Sequence, residues 1–512
     1  MIKKILASTL ALALVFGMAT VSNNFADFGT INFITASADN VESYEYQGWS
    51  YVSYTSDGTV YTQIYKYDGD SETVTIPAQI NGKTVTSIDP TTAYGNGSIF
   101  RGTDVKKVII PADFEGSINE KTFWAAKTIT EISVEEGNPN YSSYDGMLFS
   151  KDMTELLDCP EGKSGKVVIP NGVKSLKGID GNNNLGPFED CNNITDIEIP
   201  DSVEYINDRT FRACKSLKEV HIPVNAEFCN GGYLGVSRAF YWCDSLESIT
   251  VDSGNDKCGF VVDSGAVFNK DKTKLLYVPP KAKNISIPAE VTSIDYDSTL
   301  RQSMSKVFPN ITVNENNTKF TIIGNGLYEK TDDGLSLVCY YSDADDFDIA
   351  DNTVTIDLYG GGALLKLSKI TIPEGVKRIG HSSFEENNSL MQVILPSTLE
   401  EIDQCAFAGC PNLKSITLPD IPVSDKDTYL GNIGAFAIGY NIDYNTMKYV
   451  KMSDFIIYCN EGTDGERYAI ENGFTYKKPE SDDSSSLPDS SSDTDPDSSS
   501  DNSSDISNDS SS

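Results

Sequence analysis

Residues that usually perform chemistry are scarce in this sequence. The chain has two histidines, His221 and His381, and three tryptophans among its 512 residues. It contains no Cys-x-x-Cys pair, no His-Glu-x-x-His motif, no Gly-x-Ser-x-Gly turn and no glycine-rich loop of the kind that holds phosphate. These absences argue against a zinc site, the common nucleophilic hydrolases and the nucleotide-binding enzymes. We therefore predict that the chain is not an enzyme and uses no cofactor or metal.

Positive charge is also in short supply. Lysine and arginine together number 40, against 75 aspartates and glutamates, which gives a formal net charge of −35. A surface of that sign repels nucleic acid and anionic lipid, and no basic stripe interrupts it. We predict no nucleic-acid partner. The acidity has two possible roles, which are to keep an extended extracellular surface in solution or to capture calcium and cationic ligands.

Long hydrophobic runs are absent except near the first residue. Two lysines precede an apolar run from Ile5 to Thr20, and Ala36-Ser37-Ala38 supplies the small-x-small pattern that signal peptidase favours. We predict a signal peptide over residues 1–38, with a cut near Ala19 as the alternative. An uncleaved anchor is the competing interpretation, but the run is short for a bilayer. The prediction is an exported chain with no membrane span after cleavage.

Internal repetition is what the sequence has in abundance. Units of 23 residues begin at Pro200, Pro373 and Pro396, and each ends at another proline. Apolar residues occupy the same offsets in all three units, at +3, +6, +11, +17, +20 and +22. Other units carry insertions between +6 and +11, which map to loops on one side of a stacked array. We count about twelve coils between Thr73 and Asp420.

Each part of the unit has a structural interpretation. The Leu-x-x-Ile-x-Ile segment alternates apolar and polar residues, which predicts a half-buried strand, and the next proline ends it. No segment shows a long helical period, so we expect short strands, turns and 3₁₀ pieces on the outer side. The large residue at +11 fills the space between layers, and we expect these side chains to stack. They are Phe188, Phe211, Phe240, Phe384 and Phe407.

A second kind of unit is interleaved with the first. It runs from Asp145 to Pro160, recurs from Asp263 to Pro279, and begins a third time at Gly324. Apolar runs lie on either side of a polar turn in these segments, which predicts β-hairpins.

The repeated motif resembles that of a known family. The unit Ile-Pro-x-x-Val-x-x-Ile-…-Phe-x-x-Cys-x-x-Leu-x-x-Ile-x-Ile-Pro resembles the BspA-like leucine-rich repeat, the fifth leucine-rich-repeat class, over roughly residues 57–477. The resemblance implies a leucine-rich-repeat solenoid, a β-rich right-handed superhelix with an irregular or 3₁₀ outer side. It also implies a bacterial protein, secreted or at the cell surface, associated with adhesion or host-protein binding. It assigns no site residue, because the family has no shared ligand site.

These observations predict five segments. They are a signal peptide (1–38), an N-terminal capping segment (39–73), the solenoid with its interleaved hairpin units (74–420), a C-terminal capping segment (421–478) and an acidic tail (479–512). Sixteen serines and nine aspartates fill residues 481–512, so this part cannot bury a core and should be disordered. It serves as a linker to a surface, leads to a further module, or is free. Its spaced aspartates lack the glycine and glutamate of a calcium loop.

The ten cysteines allow two interpretations, a disulfide framework or buried packing. Cys191, Cys214, Cys243 and Cys410 each follow a repeat phenylalanine by three residues, which favours packing, so we expect mostly reduced thiols. Cys214 is close in sequence to His221. An inward thiol and an outward imidazole do not make a nucleophilic pair, however.

Polar residues that alternate with the buried strand positions form the candidate binding surface. In successive coils they are Asp196 and Glu198, then Glu219 and His221, then Glu247 and Thr250. This mostly acidic row favours a basic protein patch or a cation-bridged glycan. The predicted partner is therefore an extracellular protein or polysaccharide whose identity the sequence does not give.

Three alternatives remain open. The insertion loops near Gly181 and Gly231 are one other place for the contact. The aromatic residues Trp49, Tyr51 and Tyr54 form either a carbohydrate platform or, more simply, a cap on the first coil. The third alternative is a structural cell-envelope component that has no specific ligand.

Overall fold

The computed structural model describes residues 42–56, 58–91, 98–179, 185–228, 233–295, 311–340, 347–358, 366–423, 432–444 and 446–479. The predicted signal peptide lies outside these residues, as do the loop positions Gly181 and Gly231 and all of the predicted tail except residue 479. The chain forms two compact units. Unit 1 comprises residues 1–164 and 175–191, and unit 2 comprises residues 165–174 and 192–512.

Most elements are short strands. From the first described residue to residue 168 they are β1 (Glu42–Tyr46), β2 (Trp49–Ser56), β3 (Thr59–Tyr67), β4 (Thr73–Thr75), β5 (Gln79–Ile80), β6 (Lys83–Thr84), β7 (Ser87–Ile88), β8 (Lys107–Ile110), β9 (Ser117–Ile118), β10 (Glu131–Val134), β11 (Tyr141–Tyr144), β12 (Met147–Ser150), β13 (Leu156–Asp158) and β14 (Ser164–Val168). Up to residue 313 there follow β15 (Ser175–Leu176), β16 (Asn193–Glu198), β17 (Tyr205–Ile206), β18 (Glu219–Ile222), β19 (Glu227–Phe228), helix α1 (Tyr233–Ala239), β20 (Ser248–Val251), β21 (Phe260–Asp263), β22 (Ala266–Asn269), β23 (Lys274–Tyr277), β24 (Ile285–Ile287), β25 (Ser293–Ile294) and β26 (Ile311–Val313). The remaining elements are β27 (Phe320–Ile323), β28 (Gly326–Thr331), β29 (Gly334–Tyr340), β30 (Thr353–Ile356), β31 (Lys369–Thr371), β32 (Arg378–Ile379), β33 (Gln392–Ile394), β34 (Glu401–Ile402), β35 (Ser415–Thr417), β36 (Tyr440–Asp443), β37 (Lys448–Lys451), β38 (Ile456–Tyr458), helix α2 (Asp464–Asn472) and β39 (Thr475–Lys477).

Unit 1 begins with an antiparallel meander of β1, β2 and β3, to which β7 and then β9 add in parallel. Trp49 and Tyr51 point into its core and are almost fully buried. The indole of Trp49 packs against Tyr67 and Phe100, with ring centroids 4.6 and 5.9 Å apart. The idea of a carbohydrate platform is therefore wrong for Trp49 and Tyr51, because their rings close the first coil.

The coils pair through short parallel strands, and their phenylalanines lie inside as predicted. All five are at most 1% exposed. Within unit 2 the rings of Phe211 and Phe240 lie 5.2 Å apart at 9° to each other, and those of Phe384 and Phe407 have the same geometry. Successive coils thus place like on like, and stacked aromatic rings contribute beyond their buried area.

Apart from two-residue strands and helix α1, the described return segments consist mostly of turns, and the described residues contain no 3₁₀ helix there. Bonds between residues three apart recur, such as those from the Cys214 amide to the Phe211 carbonyl and from the Leu217 amide to the Cys214 carbonyl. The residue two positions after the phenylalanine has a positive φ in several coils. Non-glycine examples are Ala125, Asp190, Ala213, Trp242 and Glu386. The sequence did not indicate this left-handed position, which L-residues adopt at a cost.

The second kind of unit is a three-stranded meander, one strand more than the predicted hairpin. β11–β12–β13, β21–β22–β23 and β27–β28–β29 each pair antiparallel in sequence order. The missed strand precedes a tight turn, for example at Asp145 and Gly146, which both have positive φ. Such turns favour glycine and aspartate and produce the twist that a hairpin needs.

An asparagine joins each meander to the coil before it. In unit 1 the Asn138 amide nitrogen donates to the carbonyls of Pro111 and Phe114 at 2.8 and 3.0 Å. Its amide oxygen accepts from the backbone of Asn140 and Tyr141. Four bonds saturate this buried amide. In unit 2, Asn255 and Asn317 repeat the same four-bond pattern.

The two helices found among the described residues were not predicted. α1 lies in the insertion that follows Pro223, and α2 lies in the C-terminal segment, where Thr463 caps its first turn and Gly473 ends it with φ 66°. Tyr468 of α2 is buried and exchanges hydrogen bonds with the Ile438 backbone. No helix in the described residues is long and apolar enough to cross a membrane.

Candidate binding surface

The predicted row lies on one parallel sheet of unit 2, formed by β14, β16, β18 and β20. Alternation within each strand produces its two faces. Residues on the inner face are almost completely buried, namely Ile197, Val220, Ile222 and Ile249. The polar residues between them are exposed, so the strand-face geometry agrees with the alternation in the sequence.

The structure gives the register of five of the six predicted residues. Asp196 lies opposite Glu219, and His221 lies opposite Thr250. Glu198 is one step beyond the pair of Ile197 and Val220 and is exposed. These five residues therefore share one outward face.

Glu247 was placed incorrectly in this row. β20 begins at Ser248, and Ser248 rather than Glu247 lies opposite Glu219. Glu247 is exposed but precedes the strand, where its backbone amide donates to the Lys218 carbonyl. The sequence alone could have shown this position, because an alignment of Leu246 with Leu217 matches Glu247 to Lys218 and not to Glu219.

The row is also less acidic than predicted. The Lys166 ammonium lies 3.0 Å from a carboxylate oxygen of Glu198, and both side chains are exposed. Asp196 accepts a hydrogen bond from the Thr195 hydroxyl at 2.7 Å. Lys166 thus adds a positive charge to this face, and Ser248 and Thr250 are neutral, so the negative charge is not continuous along the row. The exposed ion pair itself contributes little to stability.

His221 is held by two neighbours from the next coil. Its Nδ1 lies 2.9 Å from the Thr250 hydroxyl, and its Nε2 lies 3.1 Å from a carboxylate oxygen of Asp252. Cys214 is fully buried on the inner side, so the thiol and the imidazole face opposite ways. The structure therefore separates the one Cys–His pair that the sequence suggested. Asp252 is a further residue of this surface that sequence reasoning missed.

Nine of the ten cysteines are described; none of the nine forms a disulfide, and all nine are buried. Two of them bond to the phenylalanine of the preceding coil. The Cys243 thiol donates to the Phe211 carbonyl at 3.0 Å, and the Cys410 thiol donates to the Phe384 carbonyl at 3.3 Å. Burial raises the pKa of both thiols to about 12, so they remain protonated. The packing interpretation accounts for these cysteines.

Two cavities lie among the described residues of unit 1. An open polar groove of about 280 Å³ is lined by residues 87–89 and 117–120 and by Ile179. The other, of about 20 Å³, lies beside Trp124, Asp158 and Glu161. Burial raises the pKa of Glu161 to about 7. No group of three histidine, cysteine, aspartate or glutamate side chains in the described residues is arranged to hold a metal ion.

The fold and this surface define a class: a repeat protein of stacked coils whose short parallel strands bury leucine, isoleucine and phenylalanine ladders. Six copies of the BspA type leucine rich repeat region match residues 184–262 and 339–437. Residues 184–262 and 339–437 therefore carry BspA-type leucine-rich repeats, as the motif predicted.

Similar solved structures have low identity to this chain. A leucine rich cell surface protein from Faecalibacterium prausnitzii A2-165 is 22% identical, with 75% of this chain and 84% of that chain covered and a TM-score of 0.33. A leucine-rich repeat protein from Eubacterium ventriosum ATCC 27560 is 18% identical, with 78% and 94% covered and a TM-score of 0.27. The pneumococcal vaccine antigen PcpA is 15% identical, with 86% and 99% covered and a TM-score of 0.32. No curated protein sequence matches. The identification of BspA-type repeats therefore rests on the two matched stretches of sequence.

Proposed function

We propose that this is a secreted or cell-surface bacterial protein that binds an extracellular protein or polysaccharide through an extended repeat surface. The supporting observation is the outward row on β16, β18 and β20. Its polar side chains are exposed and lie in register from coil to coil. A surface of this kind suits a macromolecule better than a small molecule, because it offers a face and not a pocket.

The proposal also covers the finer features of the fold, a right-handed superhelix of about twelve coils. It further includes export by the signal peptide and a location at the surface of a bacterium. The repeats support them through the family to which they belong. No catalytic role is proposed for the row.

A charge-neutralising pair of variants tests the row. Asp196→Asn with Glu219→Gln removes two carboxylates that face each other across two coils, and it leaves the pair of Lys166 and Glu198 intact. Binding of an extracellular partner captured by the unmodified mature chain should weaken, and the loss should shrink at high salt. The charge-matched control is Glu315→Gln with Asp332→Asn, which changes two exposed carboxylates elsewhere in unit 2.

If Asp196→Asn with Glu219→Gln leaves the affinity unchanged, the row is excluded as the binding surface. The loops near Gly181 and Gly231 would then be the next candidates. The second candidate function is a structural cell-envelope component without a specific ligand. Self-association of the mature chain, with no saturable partner, would favour that alternative.

A further inference from the structure

A second surface, in unit 1, combines polar side chains with a pair of stacked tyrosines. It lies on the outer face of the sheet formed by β1, β2, β3, β7 and β9. Gln63 pairs with Ser87, and Ser87 pairs with Ser117, so these three polar residues follow one another across three parallel strands. The next residue in each strand points into the core and is buried, namely Ile64, Ile88 and Ile118.

The tyrosines lie on the same face, one step along the strands. Tyr54 pairs with Tyr61, and their rings stack with centroids 5.3 Å apart at 17°. Tyr61 precedes Gln63 by two residues, so the two side chains share a face, and Tyr61 is 37% exposed. Partial burial, with the nearby Tyr61 and Asp89, raises the pKa of Tyr54, so its hydroxyl stays neutral. The pair presents aromatic surface together with hydrogen-bonding hydroxyls.

The open groove of about 280 Å³ lies at the carboxyl ends of β7 and β9. Its polar lining consists of Ser87, Asp89, Ser117, Asn119 and Glu120. This volume is near the lower end of small-ligand pockets, which begin at about 300 Å³.

Hydrogen bonds hold the Asp89 part of the groove in place. One Asp89 carboxylate oxygen accepts from the Thr91 amide at 2.8 Å and from the Thr91 hydroxyl at 2.6 Å. The Gln63 side chain donates to the Asp89 carbonyl at 3.2 Å. These contacts orient the carboxylate before any ligand arrives, which reduces the entropic cost of binding.

The lining restricts the chemistry of the ligand. Its charged members, Asp89 and Glu120, are both acidic and no cation lines the groove, so an anion is disfavoured. No cluster of three or more histidine, cysteine, aspartate or glutamate side chains that could hold a metal ion occurs among the described residues either. Serine, asparagine and carboxylate side chains suit a ligand rich in hydroxyl donors. β2 and β9 lie three strand spacings apart, about 14 Å. A ligand that contacts both the tyrosines and the groove must therefore be longer than one sugar ring.

We propose that this face binds a neutral oligosaccharide. One sugar unit occupies the groove and donates hydroxyls to Asp89 and Glu120, and a neighbouring unit stacks on Tyr61. The site is independent of the acidic row in unit 2.

Binding of defined hexasaccharides to the full mature chain tests the proposal. Maltohexaose, cellohexaose, mannohexaose and xylohexaose are titrated by calorimetry, each beside its monosaccharide and beside a chitosan hexamer as the cationic comparison. We expect at least one neutral hexasaccharide to bind more tightly than its monosaccharide, with an affinity that salt does not change.

Two variants locate the site. Tyr61→Ala removes the stacking ring, and Asp89→Asn removes the charge while it keeps an oxygen for the Thr91 bonds. Each should weaken hexasaccharide binding by about tenfold. The control Tyr144→Ala removes an exposed tyrosine elsewhere in unit 1 and should change nothing, as should the Asp196 and Glu219 pair of variants. The proposal is overturned if no neutral hexasaccharide binds at millimolar concentration, if only the chitosan hexamer binds, or if neither variant weakens binding.

Discussion

The coils and the meanders of this chain are stabilised in different ways. A coil contributes strands of only two to six residues, and it pairs and buries them only against neighbouring coils. A meander pairs its own three strands antiparallel and is then tied to the preceding coil by one asparagine with four hydrogen bonds. Stability in a coil is thus spread over apolar ladders, whereas a meander adds to its own buried apolar residues, such as Leu148 and Phe268, a polar connection through one asparagine. Loss of a ladder residue should therefore weaken the packing of its coil against both neighbouring coils. Loss of the asparagine should weaken only the link between one meander and the coil before it.

The largest expected effect is on the ladder. Phe211→Ala removes a fully buried ring stacked on Phe240 and should lower the free energy of unfolding by about 3–5 kcal/mol, as should Phe407→Ala. Chemical denaturation followed by tryptophan fluorescence measures the Phe211 effect, because Trp242 is the one tryptophan of unit 2. Met391→Ala is the control, since that side chain is 61% exposed. Losses below about 1 kcal/mol at both phenylalanines would contradict the proposed register.

The meander connection should give the next largest effect. Asn138→Ala leaves the carbonyls of Pro111 and Phe114 and the amides of Asn140 and Tyr141 without their partner, at a cost of about 3 kcal/mol. Asn138→Asp should cost at least as much, because a carboxylate accepts from the two amides but donates nothing to the carbonyls.

The neighbouring Asn140→Ala is the control for this meander. It removes one exposed side-chain bond, to the Glu115 carbonyl, and should cost less than half as much. Denaturation followed by the unit 1 tryptophans Trp49 and Trp124 compares the three variants. Equal losses for Asn138→Ala and Asn140→Ala would mean that the buried amide has no special role.

The apolar half of the fold was predictable because its signal is periodic. Phe211 and Phe407 occur at a fixed offset from a proline, and each is buried where that offset places it. Asn138 has no such period. Its role depends on bonds to carbonyls 24 and 27 residues earlier, and the sequence does not display that proximity. The left-handed residue at Ala213 was missed for a similar reason, because alanine has no preference for that conformation.

The candidate surface was predictable in part. Outward exposure of Asp196, Glu219 and His221 follows from simple alternation, and the structure agrees. The charge of the row was harder to predict, because Lys166 reaches Glu198 from a strand that is more than twenty residues earlier in the chain. The groove near Asp89 was not anticipated at all, since it brings together the ends of two strands with unremarkable sequences.

The meanders β11–β13 and β21–β23 differ at the residue that ends the third strand, and this difference gives the smallest expected effect. In unit 2, Tyr277 ends β23 and donates a hydrogen bond to the Phe240 carbonyl at 3.1 Å. In unit 1 the equivalent residue is Asp158. Burial raises the pKa of that carboxyl well above its usual value, and the nearby Glu161 raises it further. The first meander therefore ends in the partly buried Asp158 beside the buried Glu161, where the second has a neutral phenol.

Glu161 should make the stability of unit 1 depend on pH. Burial raises its pKa from 4.5 to about 7, and nearby Asp190 and Glu189 add to the rise against the opposing effects of the Ala125 amide and Lys127. The folded state therefore holds a proton that the unfolded state releases. This contribution is fully present below pH 4.5 and is lost as the pH rises through 7. We expect a decrease of about 2 kcal/mol in the free energy of unfolding between pH 5 and pH 8.

Glu161→Gln should reduce that decrease and should stabilise unit 1 at pH 8. Glutamine keeps an oxygen to accept from the Ala125 amide, and it carries no charge to bury. Urea denaturation in a Trp242→Phe background isolates the unit 1 fluorescence, and Glu136→Gln is the exposed control. Because the Asp158 carboxyl remains in the variant, the pH dependence should become smaller but should not vanish. The same slope in Glu161→Gln and in the control would show that Glu161 is ionised in the folded protein throughout this range.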